Sequence, residues 1–158
     1  RLPPHGSAAR PAMYALGASE RGLFSLLAVI ERGELLPAGE LAELTAAANH
    51  AAAAMAGTAA EVVSMERAAE ASPASREFLA PTINAYTAQL GAGVRQYNEM
   101  VTAAAQLVAA TNAGSTSGPV LTTSVIEAQR YRGALTDATD RMQGWADAFE
   151  QLGELRGA

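Results

Sequence analysis

Apolar side chains recur every three to four residues along most of this chain, the spacing of helices that each hide one face. Over Ala12–Arg32 they fall at Met13, Leu16, Leu23, Phe24, Leu27 and Ile30. Gly33 follows where a left-handed residue would close that helix. Pro37 supplies the fixed φ of a first helical turn, and the second helix runs to about Ala71 on Leu41, Leu44, Ala48, Ala51, Met55, Val62 and Met65. Ser72-Pro73 is a further cap-and-start signal. Pro81, inside the next pattern, predicts either a short turn with a restart or a kink. From there Ile83, Leu90, Val94, Tyr97, Val101, Ala104 and Val108 carry a seven-residue repeat to about Thr111. Asn112–Gly118 (NAGSTSG) reads as a flexible loop. Pro119 then opens a last helix with Leu121, Val125, Ala128, Leu135, Ala138, Met142, Trp145, Phe149 and Leu152 on one face.

A period near seven calls for nearly parallel helix axes. Three long helices and one shorter one with matching stripes and short connections make an all-α fold: an elongated antiparallel four-helix bundle, up-down-up-down. Residues 1–11, with three prolines and a glycine, read as a flexible N-terminal tether, and 12–158 as a single bundle domain. The chain lacks an initiator Met, which points to a processed product or an excised piece, and no signal-peptide pattern remains. An even helix count returns both ends of the bundle to one side, a geometry that suits insertion between two membrane spans. Within the chain nothing approaches 18 consecutive apolar residues, so no segment is expected to span a bilayer.

Composition narrows the function. About a quarter of the 158 residues are alanine, and several of these lie within the stripes, where they let helices approach closely. Cysteine is absent, which removes disulfides, thiolate nucleophiles and cysteine-based zinc sites. A net charge of −5 argues against a nucleic-acid partner, which needs a basic face. All 11 basic residues are arginine, a coding habit of GC-rich genomes rather than a property of the fold.

Catalytic chemistry is thinly represented. His5 sits in the tether and His50 in an alanine-rich helix, and neither has the Glu three residues earlier that bundle metal sites use. No metal, cofactor or enzymatic activity is expected. The glycine-rich loop lacks the lysine of a phosphate cradle, and Gly91-Ala92-Gly93 is only a fragment of a dinucleotide fingerprint. Glu20 is different. A helical wheel places it inside the apolar stripe between Leu16 and Leu23, with Arg21 on the flank among Gly17, Ala18, Ser25 and Ala28. A charge in a stripe needs a partner. Glu20 and Arg21 therefore read either as a structural clamp between helices or as an anion site, with the guanidinium fork facing a small oxyanion. Arg95 would join that site or face water, beside Tyr97 in the core. Arg130, Arg132 and Arg141 with Asp137 and Asp140 read as ion pairs along a solvated face. Trp145 reads as core or as a shelf for a ligand.

The stretch Ala18–Ala47, ASERGLFSLLAVIERGELLPAGELAELTAA, with Trp145 and the Ala-Asp-Ala-Phe-Glu-Gln-Leu after it, resembles the nitrate- and nitrite-sensing domains of bacterial sensor kinases and regulators. The resemblance implies an extracytoplasmic sensor domain of a membrane signalling protein, a small anion such as nitrate held by Arg21, flanking transmembrane regions and a homodimer. The family's usual second anion-binding arginine is missing, as is the acidic residue ahead of the motif, where Tyr14 and Ala15 stand. The alternative is a non-enzymatic helical interaction or structural module of the cell envelope, dimeric and without a small ligand.

Overall fold

A computed structural model describes residues 2–114 and 121–157 of the chain. Every regular element among them is a helix: α1 (Arg10–Arg32), α2 (Ala38–Ala71), α3 (Pro73–Gly114) and α4 (Leu121–Gly157). At 1.5 Å per residue, the 42 residues of α3 form a rod about 60 Å long. Cross-helix pairs fix the directions. The residues leading into α1 meet Glu66 near the end of α2, Met55 of α2 and Trp145 of α4 both reach Gly93 of α3, Arg141 faces Glu99, and Ser19 meets Asn98. The helices run up, down, up and down, as the sequence pattern predicts. In cross-section α2 and α3 form a shared centre that both α1 and α4 touch, while α1 and α4 scarcely meet. The bundle is therefore a rhombus with α1 and α4 at opposite corners.

The connections differ in detail from expectation. Gly33 keeps right-handed angles (φ −86°, ψ −2°), and the left-handed residue is Glu34 at φ 51°. The N–H of Leu35 reaches the carbonyl of Ile30 at 3.0 Å and that of Glu34 reaches Glu31 at 3.2 Å, the paired bonds of a Schellman cap. Space at Gly33 is tight: a methyl there would lie 3.2 Å from Leu35 Cδ2, so the leucine would have to give by a few tenths of an ångström. Pro37 caps α2 rather than entering it. Only Ser72 separates α2 from α3, with extended angles (φ −133°, ψ 93°). Helix α3 runs through Pro81 without a restart. The loop expected over Asn112–Gly118 lies, from residue 115 onward, outside the described residues, as does Pro119; α3 itself reaches Gly114.

The core follows the stripes with two corrections. On α2, Leu44, Ala48, Ala51, Met55 and Val62 are buried. On α3 the seam alternates strictly by four and three through Tyr86, Leu90, Gly93, Tyr97, Met100, Ala104 and Leu107. This places Met100 and Leu107 in the centre, whereas Val101 and Val108 sit at its edge. On α4 the buried apolar set is Leu135, Ala138, Met142, Ala146 and Phe149, but Val125 is exposed together with Ile126, Glu127, Gln129 and Arg130, so this stretch of α4 is largely uncovered. Phe24 is likewise exposed, since α1 occupies a corner and only Leu16, Leu23, Leu27 and Ile30 point inward. Among the described helices α1 is long and apolar enough to cross a membrane by length and composition; here its stripe is covered by the bundle.

Residues ahead of α1, expected to be a tether, lie against α2. Pro3 and Ala9 are buried, Ser7 Oγ donates to Glu66 Oε1 at 2.6 Å, and the N–H of Ala8 donates to Glu66 Oε2 at 3.0 Å. Arg10 donates to the Pro3 carbonyl.

Candidate functional site

Glu20 and Arg21 are consecutive on α1, so the 100° step sends them to different surroundings. Glu20 is half-buried toward α3, where its charge acts on Tyr97. Tyr97 is fully buried, its hydroxyl has no hydrogen-bond partner among the described residues, and burial first and then the Glu20 charge push its pKa up. Arg21 is exposed, and its guanidinium lies over Gly17, with Nη1 3.7 Å from where a methyl there would sit. Arg95 is exposed on α3 and lines a shallow groove between α3 and α4 together with Asn98, Glu99 and Arg141. Arg21 is not part of that groove, so the three residues singled out in the sequence do not converge on one pocket.

Helical hydroxyls are held by the turn before them. Ser25, Thr45, Thr58, Thr87, Thr111, Thr136 and Thr139 each donate to the carbonyl four residues earlier. Arg132 and Arg141 do not pair along α4. Facing helices offer carboxylates at closer range, so Arg132 meets Glu40 of α2 at 3.6 Å and Arg141 meets Glu99 of α3 at 3.8 Å. Trp145 stacks on Phe149 with ring centroids 4.3 Å apart and fills the space left by Gly93.

Among the described residues a polar cluster lies between α2 and α4. His50 Nε2 is 2.6 Å from Glu150 Oε1, and its Nδ1 is 3.8 Å from Asp147 Oδ1. The Gln143 amide sits 3.0 Å from His50 Nδ1 and donates to Asp147 Oδ1 at 3.0 Å. The Glu150 hydrogen bond, aided by the charges of Glu150 and Asp147, raises the His50 pKa above its ordinary value against the opposing effect of burial. Among the described residues this is the group of histidine and carboxylates able to close around a metal ion. The spacing Gln143, Asp147, Glu150 does place three polar groups on one side of α4. Their meeting with His50 depends on the axial register of α2 and α4, which no local pattern encodes.

Two further surface features complete the picture. An open groove of about 1010 Å³ runs beside the α1–α2 connection, lined by Leu35, Leu36, Pro37, Leu41, Thr45 and Arg132 among others. Large apolar side chains stand in solvent at Val125 and Ile126 of α4, Phe78 of α3 and Tyr14 of α1, with Phe78 80% exposed.

Comparison with known proteins bears on the family. The envelope-preserving system protein Rv2743c of Mycobacterium tuberculosis, so named, is 65% identical over 155 residues, which cover 98% of this chain and 55% of that protein. The chain thus spans about half the length of this relative. No solved structure matches. The likeness to nitrate- and nitrite-sensing domains is overturned: the family match runs through residues 1–152 and is to a different family. What Ala18–Ala47 shares with those sensors is two alanine-rich amphipathic helices joined by a Gly- and Pro-bearing connection, a pattern that helix packing alone selects. By a match through nearly its whole length, the chain belongs to the Rv2743c family.

Proposed function

We propose that this chain is a non-enzymatic helical interaction module of the cell envelope, acting through its surface rather than through a bound small molecule. The observation that carries the reading is the 65% identity, across 98% of the chain, to a protein named for envelope preservation. The surface supports it. Val125 and Ile126 are 55% and 61% exposed on α4, two turns ahead of Arg132 at the rim of the large groove. Contiguous exposed apolar surface is what marks a protein-facing site, and Val125 and Ile126 are consecutive exposed aliphatic residues. The groove beside the α1–α2 connection and the one between α3 and α4 are open rather than enclosed, which suits a partner's side chains better than an engulfed ligand.

The test is genetic. A strain lacking the gene is challenged with detergent, then complemented with wild type or with Val125→Ser/Ile126→Ser, whose side chains are already in water and whose loss spares the core. Wild type restores resistance and the double variant does not. A deletion strain with unaltered resistance overturns the envelope reading. Full rescue by the double variant removes this surface of α4 from the interface.

A further inference from the structure

We propose that His50 of α2 with Asp147 and Glu150 of α4 forms a binding site for a divalent transition metal of zinc type, bridging the two helices. One ligand atom from each residue lies within 4.8 Å of the other two. Zinc bonds of about 2.0–2.2 Å to nitrogen and oxygen need the ligand atoms a little over 3 Å apart. The Glu150 and Asp147 side chains are 56% and 55% exposed and free to adjust by that amount. One imidazole and two carboxylates are a borderline-hard donor set. It favours zinc or a late first-row metal over calcium and magnesium, which prefer all-oxygen cages.

The surroundings supply what a metal-bound histidine requires. When Nε2 ligates, Nδ1 carries the proton and needs an acceptor to hold the ring. Gln143 lies 3.0 Å from Nδ1 and donates to Asp147 Oδ1; once Asp147 turns to the metal that donor is released, and a flip of the amide presents Oε1 to the Nδ1 proton. The backbone on both sides is fixed by the core: Ala48 and Ala51 flank His50, while Ala146 and Phe149 flank Asp147 and Glu150. The exposed side leaves room for water to complete the coordination. In chain order the site joins the first half of α2 to the last third of α4.

Tag-free protein stripped with EDTA and then freed of it is titrated with zinc chloride, with calcium and magnesium chloride alongside. The readouts are calorimetry, thermal melting and the imidazole NMR signals of the two histidines. Zinc at a hundredfold excess over its Kd raises the melting midpoint by about 5–10 °C and shifts the His50 signals while leaving His5 unmoved. Calcium and magnesium do neither. His50→Ala abolishes the shift, and so does Asp147→Asn/Glu150→Gln, which keeps the histidine and the shape of the site. Absence of zinc binding by wild type at 100-fold molar excess, or equal binding by either variant, overturns the proposal.

Discussion

Gly93 is the position where one added methyl group tests the packing most directly. It lies on α3 between Met55 of α2 and the indole of Trp145 on α4. A Cβ there would meet Trp145 Cη2 at 2.5 Å and Met55 Sδ at 2.9 Å, and would press on Trp145 Cζ2 as well. Methionine is flexible and can yield, but the indole is rigid and already stacked on Phe149. Two effects then oppose one another. Alanine is about 1 kcal/mol better than glycine inside a helix, while forcing a methyl into a filled core costs about 1–3 kcal/mol. With two ring atoms inside contact distance the clash takes the upper part of that range. Gly93→Ala is therefore destabilising by about 1–2 kcal/mol, lowering the melting midpoint by about 2–8 °C. Gly57→Ala and Gly133→Ala are the controls, since nothing lies within 4 Å of a methyl at either helical position; each gains up to about 1 kcal/mol. Urea unfolding is followed by far-UV circular dichroism and by the fluorescence of the single tryptophan. Trp145→Leu, which removes the clashing ring atoms, makes Gly93→Ala neutral or favourable in a double-mutant cycle. A Gly93→Ala protein as stable as wild type, or one that gains as much as the two controls, would refute the reasoning.

Other outcomes follow from single residues. Glu34→Gly relieves a left-handed non-glycine backbone at φ 51° and stabilises by up to about 1 kcal/mol in thermal unfolding. Tyr97→Phe removes a buried hydroxyl without a partner, so it is neutral or stabilising by about 1 kcal/mol in the same assay. Because the folded-state pKa of Tyr97 is raised, the protonated phenol is favoured in the native state. Its contribution is intact below pH about 10 and is lost as pH rises beyond that value, so the wild-type alkaline limb falls more steeply than that of Tyr97→Phe. Glu66→Ala severs the bonds to Ser7 and Ala8, costs about 1 kcal/mol, and speeds amide exchange over residues 2–9 while that of α3 is unchanged.

The fold was readable because its determinants are local. The spacing of Leu16, Leu23, Leu27 and Ile30, or of Leu44, Ala48, Ala51 and Met55, defines each helix and the side it buries. Ser72-Pro73 marks the α2–α3 junction to the residue. Errors arose where the neighbour decides. Val125 continues the α4 stripe in sequence but is exposed, and Gly93, in sequence only part of an incomplete dinucleotide fingerprint, leaves the space that Trp145 of another helix fills. The cluster around His50 failed to declare itself for the same reason. Its other members lie on α4, beginning with the Gln143 amide 93 positions away and followed by the carboxylates of Asp147 and Glu150. Glu20 was legible as an anomaly within a stripe, while its neighbour Tyr97 belongs to another helix.

The single-residue junction at Ser72 has a kinetic consequence. Closing a loop costs entropy that grows with its length, and here two helices of 34 and 42 residues are joined with almost none to close. The α2–α3 hairpin is thus the pair whose encounter is nearest to automatic, and it is also the pair both remaining helices dock upon. Folding that begins there lays down a template before α1 or α4 is committed. Core truncations facing the hairpin, such as Met55→Ala, then slow folding, whereas truncations such as Leu16→Ala, on the late-docking α1, chiefly quicken unfolding.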